Sequence, residues 1–327
     1  MRVFVFEYLT ALGIGREPDS PDHGMYREGL AMRDAVVADF ARIPGVEVAV
    51  SPVEASRESD WHLVIAPESD GILAEFADAL RLTGQRSLGS SVEAIRLTSD
   101  KLRLAGHWRE HGVPTPATTE REPTPCEAFP VVWKPRGGCG STATFLLNSP
   151  FDVASAKANR DAEHHSGPMI LQEFVAGRAA SVAFLCGPAG NVPLMPAFQL
   201  LGNDGRFKYL GGELPIPPDL RARAIHLARR SIECVPGLLG YVGVDLILGE
   251  AEDAADGSRD FAIEINPRLT TSYVGLRALA DFNLAHAILC AVTRDTLPEI
   301  RWKPGQVRFG PDGSVTKLEE PDDFSRI

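Results

Sequence analysis

A chain of 327 residues, 44% hydrophobic and 24% charged, is long enough for two or three packed units and has the make-up of a soluble globular enzyme. Its 44 acidic against 33 basic side chains, a formal net charge of -11, disfavour nucleic acid as a partner, because duplex binding calls for a basic patch. No apolar run approaches the roughly 20 residues of a membrane span, and "MRVFVFEYL" is too short, and too soon interrupted by Glu7, for a secretory leader. Five scattered cysteines without a C-x-x-C pair suit reduced thiols in a cytoplasmic protein, with neither disulfide framework nor structural zinc.

The elements follow in order. "RVFVF" (2–6) reads as a buried strand, then a loop rich in Gly, Pro and Asp to Gly24, then a helix over 25–43 stopped by Pro44-Gly45. Strands at 46–50 and 61–66 and a helix at 71–82 complete a βαβ alternation, which predicts a small, mostly parallel sheet with covering helices. Ligands bind outside the carboxyl ends of such strands, so Glu7, Glu68 and Asp70 are candidates to face one, against the plainer reading of polar loop residues. One or two linked helices follow over 90–112, then a proline-rich linker over 114–130. From 130 the texture becomes strand–loop–strand: "PVVWKP", a Gly-rich loop and "TATFLL", a helix over 151–165, and strands at 169–175 and 181–186. A helix at 219–235, a strand pair at 243–249 and 260–267 joined by an acidic loop, and a helix at 275–292 lead to a polar, loosely held tail after 311.

Chemistry concentrates in a few places. Asp245 stands alone in the apolar run "VGVDLIL", and a buried carboxylate is costly unless paired or bound to metal. In "FAIEINPRL", Glu264, Asn266 and Arg268 fall at i, i+2 and i+4 and share one strand face. Two carboxylates and a carboxamide make an all-oxygen set suited to Mg²⁺, or else a strand-edge charge cluster closed by local ion pairs. "KPRGGCGST" (134–142) lacks the Walker A order, since its lysine precedes the glycines. It reads as a flap whose N–H groups can approach phosphate, with Lys134 beside it, or as an ordinary flexible turn. Gln172 and Glu173 could bond an adenine amino group or simply decorate a strand. "HWREH" (107–111) matches the H-x-x-E-H zinc signature, but a helix-ending position suits these cations against the dipole better than a catalytic cleft.

Taken in sequence, "SDK" (99–101), "VVWKP" with "GGCGS", "LQEFVAG", "GVDLIL" and "EINPR" resemble the ATP-grasp superfamily over roughly residues 90–290. The resemblance implies an α/β and α+β fold: a Rossmann-like N-terminal domain (1–98) followed by a two-lobed ATP-grasp fold. Its small lobe with linker helix and flap would span 99–176, its large lobe 177–310, and a polar tail 311–327. Carried over by position, Lys101 and Lys134 would contact ATP phosphates, and Gly137, Gly138, Gly140 and Ser141 would form the flap. Gln172, Glu173, Phe174 and Val175 would form the adenine segment. Asp245, Glu264 and Asn266 would be the metal ligands, for Mg²⁺ or Mn²⁺ with two ions expected, and Arg268 the arginine beside the transferred phosphate. One departure stands out: where many members carry a ribose-binding glutamate after "VAG", this chain reads Gly177-Arg178-Ala179-Ala180-Ser181-Val182.

"VFVFEYLTALG", "SDK" and "ASVAFL" further resemble the tyramine–L-glutamate ligase branch of methanofuran biosynthesis and its bacterial relatives. That implies an ADP-forming carboxylate–amine ligation through an acyl phosphate, with small-molecule acid and amine partners, Lys134 and Arg268 acting on the transferred charge, and a homodimer left open. Glu7, Glu68 or Asp70 would bind and deprotonate the amine, and Arg136, Lys208 and Arg268 would hold a glutamate carboxylate. "KYLGGELPIP" (208–217) reads as a substrate loop or a plain connector. The rivals are a ligase for another acid and amine, such as a peptide or cofactor-tailoring enzyme, and an ATP-binding module without chemistry.

Overall fold

A strand buried on both faces belongs at the centre of a parallel sheet, and Val3, Phe4, Val5 and Phe6 are all buried. In a computed structural model of the chain, which describes residues 1–50, 59–138, 140–249 and 256–318, that strand is β1 (Arg2–Glu7). It runs parallel to β2 (Glu47–Ala49) on one side and β3 (Trp61–Ile65) on the other. The loop expected after β1 begins instead with a short helix, α1 (Tyr8–Leu12). The Glu7 carboxylate nucleates it by accepting the Leu9 and Thr10 N–H groups at 3.2 and 2.7 Å. Helices α2 (His23–Phe40) and α3 (Ile72–Leu82) cover the sheet. A Cβ on Gly29 would lie 2.5 Å from Glu7 Oε1, so only glycine lets α2 pass this close to the end of β1.

The segment 90–112 forms two helices, α4 (Val92–Thr98) and α5 (Lys101–Glu110), capped by Ser91 and Asp100 through the Ala94 and Arg103 N–H groups. Trp108 of α5 is wholly buried and donates its indole N–H to the Ser231 carbonyl at 3.0 Å. The two histidines of "HWREH" are engaged with carbonyls: His107 Nε2 lies 2.7 Å from Cys234 O, and His111 Nδ1 lies 2.8 Å from His107 O.

Two five-residue strands and two shorter ones make a separate antiparallel sheet in the order β4-β7-β5-β6. They are β4 (Thr118–Thr119), β5 (Val131–Pro135), β6 (Phe145–Leu147) and β7 (Met169–Glu173), covered by α6 (Asp152–Ala162). This sheet has its own apolar cluster around Trp133, Phe145, Ala156 and Leu171.

The large sheet has eight strands, in the path β13-β12-β8-β10-β11-β14-β15 with β9 paired to β8. These are β8 (Arg178–Gly187), β9 (Gly190–Pro193), β10 (Ala197–Leu201), β11 (Tyr209–Leu214), β12 (Gly240–Leu248), β13 (Phe261–Asn266), β14 (Gln306–Phe309) and β15 (Val315–Leu318). On one face lie α7 (Pro218–Glu233) and Trp108 over Val242, Val244 and Leu246. On the other, α8 (Ser272–Leu279) and α9 (Leu284–Thr293) join the N-terminal unit in one core that holds Val3, Val36 and Phe40 together with Leu185, Tyr273, Ile288 and Phe309.

Three expectations are corrected. The helix read over 275–292 is two, because Ala280 turns extended and Asn283 caps α9 through the His286 N–H while donating to the Asp39 carbonyl at 2.8 Å. The segment 208–217 is neither loop nor connector over most of its length: Tyr209–Leu214 pairs with both β10 and β14. The tail after 311 begins as a strand, since a turn at Asp312-Gly313 folds β15 back on β14. Residues 319–327 of that tail, and 250–255 of the acidic loop, lie outside the described residues.

Candidate active site

Strand alternation places the first cluster. Val244 and Leu246 of β12 enter the core on the α7 side, which turns Asp245 to the opposite face, directly across from Glu264 of β13. Asn266 sits across from Gly243 and donates its amide to Asp245 Oδ2 at 3.0 Å, while Gln199 of β10 donates to Oδ1 at 2.9 Å. Burial first, and the Glu264 charge second, push the Asp245 carboxyl well above the usual carboxylate range. Burial also pushes Glu264 upward, but Lys101 and Lys134 outweigh it and hold that carboxyl below its ordinary value. Lys101 Nζ lies 3.5 Å from Glu264 Oε2. Lys134 closes β5 from the facing sheet, is 8% exposed, and burial brings its ammonium down to about 8.

These groups suit a hard cation. Two carboxylates crowd together in a desolvated place, and a third oxygen is available if the Asn266 amide turns over. Among the described residues no group of three or more His, Cys, Asp or Glu could hold a metal ion.

The glycine loop after β5 arches over this cluster. Its Gly138 and Gly140 take φ of +113° and +70°, and Lys101 Nζ donates to the Gly138 carbonyl at 2.7 Å. A Cβ on Gly137 would lie 3.8 Å from Ser99 O, and Ser141 Oγ donates to Phe207 O at 2.7 Å. Cys139 lies outside the described residues. Arg136 points away from the lysines. Its guanidinium is held by Asp100 at 2.6 Å and Glu120 at 2.7 Å, strapping the loop base to the start of α5.

The Gln172–Val175 segment connects the two sheets. Gln172 is buried and donates to Thr118 Oγ1 at 2.9 Å, whereas Glu173 is exposed, and Phe174 and Val175 are half-buried. Directly after them, a Cβ on Gly177 would strike the Leu248 carbonyl at 2.4 Å, which excludes any larger residue from the crossing.

The carboxyl edge of the N-terminal sheet forms the opposite wall. Glu68 grips Arg268 at 2.9 and 3.0 Å, both side chains largely buried, while Arg268 also donates to Leu269 O at 3.2 Å. Glu7 is committed to capping α1, and Asp70 is exposed on a turn with φ of +55°. The neighbouring Ser69 Oγ lies 3.5 Å from where a Gly138 Cβ would stand, so this turn meets the glycine loop. Lys208 is exposed in the turn between β10 and β11, next to Phe207, whose carbonyl accepts from Ser141.

Three groups at the site escape the sequence reading. Gln199 interrupts "AFQLL" with one polar side chain, a signal of the same kind as Asp245. Tyr209 opens β11, and burial, followed by the charges of Glu28 and Asp245, raises its phenol well above its ordinary value. Glu28 of α2 accepts a hydrogen bond from the Thr271 hydroxyl, and burial raises its carboxyl. Nothing in the helical pattern of 23–40 distinguishes Glu28 from a solvent-facing acid.

Comparison with known proteins gives the family. Residues 98–272 match the ATP-grasp domain family, and residues 53–95 match the pre ATP-grasp 3 domain. The chain belongs to the ATP-grasp family, and it is an ATP-dependent ligase of the carbon–nitrogen bond-forming kind. It is similar to the tyramine–L-glutamate ligase of Methanocaldococcus jannaschii, with 30% identity over 84% of each chain. The enzyme of the same name from Methanocaldococcus fervens is 26% identical over 84% of this chain and 89% of its own. The fold superposes on an ATP-grasp superfamily protein from Archaeoglobus fulgidus with a TM-score of 0.70 and 26% identity, covering 94% of this chain and 92% of that one. It shares its fold alone with biotin carboxylase from Campylobacter jejuni, at a TM-score of 0.63, 15% identity, and 94% and 74% coverage. No helix among the described residues is long and apolar enough to cross a membrane.

Proposed function

We propose that this cleft activates a carboxylic acid with ATP as an acyl phosphate and passes the acyl group to an amine, releasing ADP and phosphate. The observation that carries the reading is the meeting of Lys101, Lys134, Asp245, Glu264 and Asn266 beneath one glycine loop, with Arg268 following on the same chain turn. Glutamate and tyramine, or a related aromatic amine, form the substrate pair, in methanofuran-type cofactor synthesis. Similarity to tyramine–L-glutamate ligases across most of both chains supports that choice.

In this reading residues 1–98 precede a small lobe over 99–176 and a large lobe over 177–310. Asp245, Glu264 and Asn266 hold Mg²⁺ or Mn²⁺, two ions in all, which neutralise phosphate charge when bound. Lys101 and Lys134 take phosphate oxygens, and the N–H groups of Gly137, Gly138, Gly140 and Ser141 close over them. Gln172, Glu173, Phe174 and Val175 line the adenine end. A substrate carboxylate oxygen attacks the γ-phosphorus and ADP leaves. The lone pair of the neutral amine then attacks the acyl carbon, phosphate departs with the C–O bond pair, and the nitrogen gives up one proton to the departing phosphate. Lys134 and Arg268 bear the charge that develops on the transferred group, and Glu68 fixes the Arg268 guanidinium in position. No side-chain nucleophile is required.

The test is ADP release with glutamate plus tyramine, tyrosine or other amines, followed by product mass. ADP and a γ- or α-amide of glutamate are expected; absence of ADP with every pair overturns the reading. A ligase joining two amino acids is the second reading, favoured by 30% identity to D-alanine–D-alanine ligase of Bordetella avium over 40% of this chain. The product mass separates the two.

A further inference from the structure

Among the described residues of the cleft two carboxylates, Glu7 and Glu28, have no ion-pair partner, and the Glu7 oxygens are taken up by the Leu9 and Thr10 N–H groups. Asp245 and Glu264 face Lys101 and Lys134, and Arg268 is matched by Glu68. Glu28 remains. It reaches from α2 to the end of "EINPRLTT", where its carboxylate accepts a hydrogen bond from the Thr271 hydroxyl, while the Arg268 guanidinium near it is already gripped from the other side. A half-buried carboxylate whose one side-chain hydrogen bond among the described residues comes from a neutral hydroxyl is poorly compensated, and a cation brought to it gains more than it would in water.

The position is fixed and faces the reaction. Gly29 pins α2 against the end of β1, since any Cβ there would collide with Glu7. Tyr209 opens β11 half-buried, and desolvation first, then the charges of Glu28 and Asp245, raise its phenol above its ordinary value. The segment 268–271 follows directly on the Glu264–Asn266 strand, and Thr270 packs with Asn266 against Gly243, which brings Thr271 and its Glu28 partner to the edge of the carboxylate pair.

We propose that Glu28, held by Thr271, is the side chain that recognises the ammonium group of the incoming amine. This rests on the carboxylate–amine reading above and deepens it. It also replaces Glu7 in the amine-binding role, because the Glu7 oxygens are spent on the α1 N–H groups. The specificity that follows is for a primary ammonium compound; a neutral or anionic acceptor would leave the Glu28 charge unpaired.

Hydroxylamine, small and uncharged at neutral pH, provides the discriminating probe, because it intercepts an acyl phosphate without needing an ammonium site. Wild type and Glu28→Gln are each supplied with ATP, glutamate and either tyramine or hydroxylamine, and amide and hydroxamate are measured. Glutamine keeps the shape and can still accept from Thr271. The expected result is a rise in the KM for tyramine of about 30-fold or more, with the amide-to-hydroxamate ratio falling in parallel, as loss of a desolvated charge partner demands. Glu28→Asp is expected to regain part of the tyramine KM. A tyramine KM within about threefold of wild type overturns the inference, as does an equal loss of both products accompanied by a lower melting temperature. Failure of the wild type to make hydroxamate or ADP from glutamate defeats the underlying reading instead, a result distinct from either.

Discussion

The two walls of the cleft are built on different principles. The wall formed by Asp245, Glu264 and Asn266 comes from two adjacent antiparallel strands whose alternation aims all three groups the same way. The wall facing it depends on contacts between segments 200 and 243 residues apart: Arg268 with Glu68, and Thr271 with Glu28. The first is a property of local chain geometry, the second of how an N-terminal unit docks on a large sheet. Chemistry common to a family can reside in the first, and the choice of acceptor in the second.

The largest effect that would break this division is at the strand pair. Asp245→Asn is expected to lower turnover by about 1,000-fold or more, since the proposed metal site would lose one of its two carboxylates. The same change should raise the melting temperature of the ligand-free protein, because it removes a like-charge contact that already pushes Asp245 upward. Parallel kinetics and thermal unfolding check both. If activity and stability fall together, the pair is structural.

Lys134→Met should cost about 100-fold in kcat, in the range of losing one donor to developing charge. The wild-type lysine also gives a pH signature. Its free-state value of about 8 means that half the molecules have lost that proton at pH 8. A bound triphosphate favours the charged form and draws the value upward. ATP binding should therefore take up a proton above pH 8, take up almost none below pH 7, and weaken as pH rises through that range. Calorimetry in two buffers of different ionisation enthalpy reads this directly, and Lys134→Met should abolish the uptake.

A smaller effect is expected from Glu68→Gln. It loosens Arg268 without removing it, so kcat/KM should fall by about tenfold while ATP affinity holds. Smallest of all is Lys208→Ala, on an exposed turn: steady-state constants should stay within about twofold of wild type. A large effect there would place an acceptor contact on the wrong side of the comparison.

The same division explains what could be read from residues alone. A lone Asp in an apolar run and the Glu-x-Asn-x-Arg alternation are local signals, and both strands form where the alternation puts them. Lys134 at a strand end beside the glycine loop is equally local. Glu28 is invisible for the opposite reason, since its role follows from Gly29 packing on Glu7 and from Thr271 arriving from the far end of the chain. Arg136 and Lys208 look alike as candidate cations, and only tertiary structure shows one strapped to Asp100 and Glu120 and the other in solvent. Tyr209 hides in a turn-rich stretch because "GG" suggests a bend. In fact a Cβ at Gly211 or Gly212 would come within 2.0 or 2.5 Å of Phe309, so the glycines admit a neighbouring strand.

The shared core of the N-terminal unit and the large sheet has a mechanical consequence. Parting them would bring Phe40, Tyr273 and Phe309 into water, so these two bodies move as one. The four-stranded sheet has a nucleus of its own, so displacing it would leave that shared core covered. What ties it to the rest is largely polar: Ser141 to Phe207, Leu146 to Gly205, Arg206 to Thr144 and Glu163, and Arg136 to Asp100. Breaking such ties exchanges them for bonds to water, whereas parting the other two bodies would wet a whole apolar core.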